Sequence, residues 1–174
     1  MKKILTLFAI VGLFAFTGCE GPEGPPGQDG YDGLIGQVFE REVDFNPTGY
    51  SVLIPIPGGQ IYPYDVVLVY HRYDVDNGNS IWRLIPQTYY MNDGGALDFN
   101  YDFTINDVSI WLAADFPLNE LSTDWTQNQV FRIVIVPGEK LGTGKSVNKP
   151  DYSDYNAVIK KYNIDDSSVK RVKL

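Results

Sequence analysis

The chain has almost none of the side chains from which nitrogen and sulfur chemistry is built. Its 174 residues include one cysteine, Cys19, and one histidine, His71. A lone thiol excludes an internal disulfide. One thiol and one imidazole are too few for a zinc site of nitrogen and sulfur ligands. A Ser-His-Asp hydrolase would have to use His71 as its base, and no nucleophile elbow accompanies it. His71 lies within Val69-Tyr70-His71-Arg72-Tyr73, so a hydrogen-bonded strand histidine is the expected role. Positive charge is scarce too, with 14 bases against 22 acids. Nucleic acid is therefore not an expected partner, because phosphate binding needs a cationic footprint. Long apolar runs are also missing. The longest uncharged, largely apolar stretch, residues 4–16, has thirteen residues. A membrane-crossing helix needs about 20.

What is present begins with an address. Lys2 and Lys3 precede the apolar stretch, which ends in Phe16-Thr17-Gly18-Cys19. A positive start, a short apolar core and small residues at its end make a secretory signal. The segment resembles precursors cut by the lipoprotein signal peptidase, whose pattern is a bulky apolar residue, two small residues and Cys. Phe16 stands where Leu is usual. The resemblance implies removal of residues 1–18, a diacylglycerol thioether on Cys19 and an acylated new amino terminus. Several acyl chains make anchoring durable, at about 0.8 kcal/mol per buried CH₂. The expected partner is thus a membrane, held through Cys19. Glu20 follows the cysteine, and the resemblance implies an outer-membrane location more readily than an inner one.

After cleavage, 12 bases face 22 acids, a net charge of −10. The charge is uneven. From Lys145 onward there are seven bases and four acids, so that end is +3. It reads as a solvated basic tail, with contact to lipid phosphates or an acidic partner as the alternative.

Gly21, Gly24, Gly27, Gly30, Gly33 and Gly36 recur at every third position. This is collagen's repeat, in which only glycine fits the axis of three chains. Five triplets are few, and no trimerising coiled coil flanks them. A single-chain, disordered or polyproline-II-like tether over residues 19–36 is expected, and a monomer rather than a trimer. Fully extended at about 3.1 Å per residue, the five triplets reach some 45–50 Å. Signal, collagen-like tether and β domain together resemble a group of lipoproteins from Bacteroidetes-type bacteria. The resemblance covers about the first 36 residues, with looser similarity at Ile81-Trp82-Arg83-Leu84-Ile85-Pro86-Gln87, in the run 131–138 and in the run 154–160. It transfers no activity.

From Gln37 onward the text is strand-like. Aromatics are 14% of the chain, including 12 tyrosines, and many fall in alternating runs. Strands are expected over 38–45, 51–56, 65–73, 80–90, 97–104, 107–115 and 130–136. Turn signals separate them, with Asn77-Gly78 the strongest because both positions of a type I′ turn need positive φ. Residues 66–70 and 133–136 are apolar on both faces and read as central strands. Pro86 belongs at an edge or bulge. Tyr155, Val158, Ile159 and Tyr162 follow i, i+3, i+4, i+7, one stripe of a short helix near 153–162, with Ser153 as its N-cap. A last short strand is expected within 169–174. The fold expected for 37–174 is mostly β: an antiparallel β-sandwich, Ig-like or jelly-roll-like, with one short C-terminal helix.

Two motifs resemble ligand loops but fail in detail. Gly142-Thr143-Gly144-Lys145-Ser146 lacks the earlier glycine of a phosphate loop, since Glu139 fills that position. In Asp74-Val75-Asp76-Asn77-Gly78-Asn79 the glycine is fifth rather than sixth, and Ile85 stands where a calcium loop has a bidentate Glu. A looser calcium site using Asp93, Asp98 and Asp102 is the remaining alternative. No metal, cofactor or catalytic residue is assigned. Trp82 and Trp111 lie inside strand runs and are expected in the core. Trp125, in the loop Ser122-Thr123-Asp124-Trp125-Thr126-Gln127, is the candidate ligand contact. The expected function is an envelope lipoprotein with a non-catalytic binding or scaffolding domain, its partner another envelope protein or a glycan. The alternatives are a carbohydrate-binding module or a glycan hydrolase built on carboxylates, which needs only two acids.

Overall fold

The computed structural model describes residues 36–138 and 150–174. Cys19, the glycine repeat up to Gly33 and the stretch 142–146 lie outside them. Nine strands are described: β1 (Gln37–Val43), β2 (Ser51–Pro55), β3 (Val66–Asp76), β4 (Asn79–Leu84), β5 (Gln87–Tyr90), β6 (Ala96–Phe103), β7 (Asp107–Ala114), β8 (Gln129–Val136) and β9 (Arg171–Lys173). Two helices accompany them, α1 (Thr123–Thr126) and α2 (Tyr155–Lys161). One sheet has the order β4-β3-β8-β1-β9, the other β2-β7-β6-β5. Every pairing is antiparallel except that of β9 with β1. The expected β-sandwich with a short helix near the C-terminus is what forms. β1 pairs with β8 and β2 with β7, while β3–β4 is a hairpin at the edge of one sheet and β5-β6-β7 is a meander in the other.

Alternation explains the layering. On β7, Val108, Ile110 and Leu112 turn inward; on β6, Leu97 and Phe99 do the same. They meet Val67 and Val69 of β3 and Phe131 and Ile133 of β8 between the sheets. β3 and β8 carry a second apolar face, Leu68, Tyr70, Val134 and Val136. That face is covered by α2 through Tyr155 and Val158, so the order of layers is helix, sheet, sheet. This is why residues 67–70 and 133–136 are apolar on both sides. Val66, at the end of β3, is exposed instead.

Several expectations need correction. Residues 80–90 do not form one strand. The chain ends β4 at Leu84, passes a cis Ile85–Pro86 peptide, and begins β5 in the other sheet. Pro86 thus separates two edge strands. Ser153 does not cap α2. Asp154 does, its carboxylate accepting from Ala157 N at 3.1 Å, while Ser153 Oγ donates to Asp151 at 2.7 Å. Nor is the basic end simply solvated. Arg171 donates to Glu40 at 3.1 Å, and Lys173 lies 3.5 Å from Glu42 and 3.3 Å from Asp44.

Glu40 is buried and is the hub of a polar node under the helix layer. Arg132 binds it through Nε at 2.9 Å and Nη2 at 2.6 Å. Arg132 also donates to Tyr155 Oη at 2.6 Å and to Asp166 at 3.1 Å, and its guanidinium lies 4.4 Å from the Trp82 ring centre. The node ties β1, β8, α2 and the C-terminal segment together. Burial pushes the Tyr155 hydroxyl well above its ordinary range, with the Asp166 hydrogen bond adding to that, so it stays a donor to the Asp166 carboxylate. Removing one partner of such a node leaves a buried charge unpaired, which typically costs 3–5 kcal/mol.

Candidate functional site

At the end of the sandwich away from Gln37, the second half of β3 and the segment that leads into β8 border an open cleft. Its volume is about 580 Å³, and its lining includes His71, Tyr73, Asp74, Asp124, Trp125 and Asn128. A smaller depression of about 340 Å³ also borders Trp125, against Asp93, Phe116 and Glu120. Trp125 is the wall the two share.

Local packing fixes that wall. Trp125 lies in α1, a single turn rather than a loop. Thr126 is buried, and its carbonyl accepts from Phe45 N at 2.7 Å. Gln129 Nε2 donates to the carbonyls of Asp124 at 2.8 Å and Gln127 at 2.7 Å, which clamps both ends of the turn. The Trp125 ring rests on Tyr89 at 5.2 Å and Phe99 at 6.3 Å, and remains half-buried. Part of this residue is therefore core, and part faces the cleft.

His71 forms the cleft's inner boundary and is buried. Its ring stacks 4.5 Å from Phe99 and 5.1 Å from Phe131. Nε2 lies 2.9 Å from Gln129 Oε1, and Nδ1 lies 2.9 Å from Tyr89 Oη. Because the Gln129 amide nitrogen is spent on two carbonyls, its oxygen accepts, so the His71 proton sits on Nε2. Nδ1 then accepts from the Tyr89 hydroxyl. Burial lowers the histidine pKa to about 4 and raises that of Tyr89 to about 12, so both are neutral near pH 7. His71 is the hydrogen-bonded strand histidine expected, with neither nitrogen free toward the cleft.

The outer rim is aromatic and polar. Tyr73 is exposed, lies parallel to Tyr89 at 5.8 Å and carries the Arg83 guanidinium 3.3 Å from its ring centre. The Asp74 carboxylate accepts from Val75 N at 2.7 Å, and Asp124 is exposed. An aromatic wall with carboxylates and amides around it suits a neutral, hydroxyl-rich ligand. Asp124 is adjacent to Trp125 in the chain, but Tyr73 and Asp74 were not legible as its neighbours. They come from a distant part of the chain, and the β3–β8 pairing brings them close.

Other singled-out residues fall elsewhere. Asp74-Val75-Asp76-Asn77-Gly78-Asn79 is the β3–β4 hairpin, with Asn77 at φ 48° and Gly78 at φ 83°, as a type I′ turn requires. Asp93 lies in the β5–β6 turn, and Asp98 and Asp102 lie on β6. Among the described residues, no three His, Cys, Asp or Glu side chains gather as a metal-holding group. Among those residues, too, no helix is long and apolar enough to cross a membrane. Trp82 packs on the helix side of the larger sheet, not between the sheets. Trp111 belongs to neither core. It is half-buried on the outer face of the smaller sheet, between Ser51 and Asn100. The core expectation for Trp111 is thereby overturned. Its place is out of phase with inward Ile110 and Leu112's alternation partner Val108, a signal that was present in the sequence. No family model, curated protein or solved structure matches the chain.

Proposed function

We propose that this protein is an envelope lipoprotein, tethered through Cys19, whose β-sandwich is a non-catalytic binding module. The observation that carries the reading is the position of the only cysteine. It follows two lysines, an apolar stretch of thirteen residues and Phe16-Thr17-Gly18. Outer-membrane attachment is the location that Glu20 favours. A Cys19→Ala variant is expected to lose metabolic palmitate labelling. Unchanged labelling would remove the anchor from this account.

The Trp125 cleft supports a second reading, in which the bound partner is a glycan. Sugar rings stack on aromatic faces, while their hydroxyls take hydrogen bonds from carboxylates and amides. Trp125→Ala is a poor test, because it also removes packing against Tyr89 and Phe99. Asp124→Ala is cleaner, since its exposed side chain makes no hydrogen bond within the described fold. Binding on a glycan array that falls at least tenfold in Asp124→Ala, with unchanged melting, supports this reading. Asp74 and Asp124 share the cleft, so the same glycans should be assayed for new reducing ends. Their appearance would replace binding by hydrolysis.

A further inference from the structure

The two ends of the sandwich differ in chemistry. The Trp125 end carries exposed acids, among them Asp74, Asp76, Asp93 and Asp124. At the opposite end the chain enters β1 at Gln37 and leaves β8 at Val136. There, beside exposed polar residues such as Gln60 and Asp102, stands a group of exposed aromatic and aliphatic side chains. Tyr62 is 60% exposed and Tyr64 39%, their rings parallel at 5.3 Å on either side of Pro63. Phe103 is 40% and Ile105 39% exposed, on and beside the β6–β7 turn. The two groups adjoin, because Ile61 N donates to Ile105 O at 2.9 Å.

This end is held in shape. Asp65 N donates to Tyr62 O at 3.0 Å, and the Asp65 carboxylate accepts from Tyr62 N at 3.0 Å and Gly138 N at 3.1 Å. A side chain at Gly138 would lie 1.7 Å from Tyr64 O, so only glycine allows this close approach. Asp107 is engaged by Thr104 Oγ1 at 2.7 Å. Both carboxylates thus have hydrogen-bond partners within the fold. Ile164, three residues beyond the last turn of α2, packs against Gly36 at the start of β1.

We propose that this end is a lipid-contact face, laid against the headgroup region of the membrane that holds Cys19. The inference rests on the lipoprotein reading. Only seventeen residues, 20–36, separate Cys19 from β1, and they join the domain at this end. An extended tether sets the farthest reach of the domain, not its nearest approach. Tyrosine suits the interface, with its ring in the apolar boundary and its hydroxyl in water. The exposed acids of the Trp125 end are held away from anionic headgroups in this orientation. A tether also converts weak surface affinity into a largely occupied contact, through high effective concentration.

The test uses the acylated full chain in vesicles of phosphatidylethanolamine and phosphatidylglycerol. An introduced cysteine is the only free thiol once Cys19 is acylated, so it takes a spin label selectively. Gln60→Cys reports the proposed face, and Thr48→Cys the opposite end. The Gln60 label is expected to collide several-fold more with oxygen, relative to a water-soluble nickel chelate, than the Thr48 label. Tyr62→Ser combined with Tyr64→Ser should abolish that difference without lowering the melting temperature. Water-like labels at both positions in protein that floats with the vesicles would overturn this face and leave the anchor intact. A Gln60 label shielded from both reagents, with sedimentation as a dimer, would also overturn it, in favour of a second copy. Protein that does not float with the vesicles would overturn the anchor, and the face with it.

Discussion

At the residue scale, the strongest commitments are polar groups placed where water does not reach. His71 is neutral in the fold, its pKa lowered from 6.5 to about 4, chiefly by burial. An imidazole held neutral contributes stability that is present above the unfolded pKa. That contribution is lost as pH falls from about 6.5 toward about 4, where the folded form also protonates. The shift corresponds to something on the order of 3 kcal/mol. His71→Gln removes the titration while an amide can keep a hydrogen bond toward Gln129. Urea midpoints at pH 7.5 and 4.5 should therefore differ less in His71→Gln than in the parent. An equal loss in both would assign the acid sensitivity to carboxylates alone. A strand histidine was readable from the sequence because its neighbours alternate. Its two partners were not, since Tyr89 and Gln129 lie 18 and 58 residues away.

Elements were legible where period and turn chemistry agreed, and illegible where two choices were locally equivalent. Asn77-Gly78 allows almost nothing but a hairpin, and one forms. Residues 80–90 read as one strand because apolar and aromatic side chains continue through Pro86. Which sheet each half joins is decided by partners distant in sequence, Tyr70 for Leu84 and Phe99 for Gln87. Ser153 and Asp154 are both good capping residues, and only geometry separates them. The difference has a measurable consequence. Asp154→Ala removes the acceptor for Ala157 N and should cost about 1 kcal/mol, whereas Ser153→Ala removes only a surface bond to Asp151 and should cost clearly less. Chemical denaturation of the two variants decides between them, and a larger loss in Ser153→Ala would mean that the cap is misassigned. Val158, wholly buried on the same helix, gives an upper mark. Val158→Ala deletes two carbon groups from the second core, at about 2 kcal/mol.

On the scale of the whole molecule, the notable feature is how the sheet edges are closed. An open edge presents unpaired backbone groups to any other strand, and short strands, proline and charge are the usual protections. β5 has four residues and follows Pro86; β2 has five and ends at Pro55. β1 has seven residues and no proline, and its charges are Glu40, Arg41 and Glu42. It is covered by β9, which pairs from Glu40↔Arg171 to Glu42↔Lys173 and brings two cations to the carboxylates of β1. Nothing in the text before residue 150 announces this, because a three-residue parallel partner 131 positions away leaves no local period. The basic end of the chain is thus matched to an acidic strand near its beginning. Deleting residues 169–174 should uncover the β1 edge and take one of the two arginines from buried Glu40. The full mature chain is expected to sediment as a monomer at tens of micromolar. The truncated chain should associate reversibly over the same range. If the truncated chain stays monomeric with an unchanged melting temperature, β9 neither guards the edge nor supports the node. The stabilising role of the C-terminal segment would then fall to α2 and Arg132 alone.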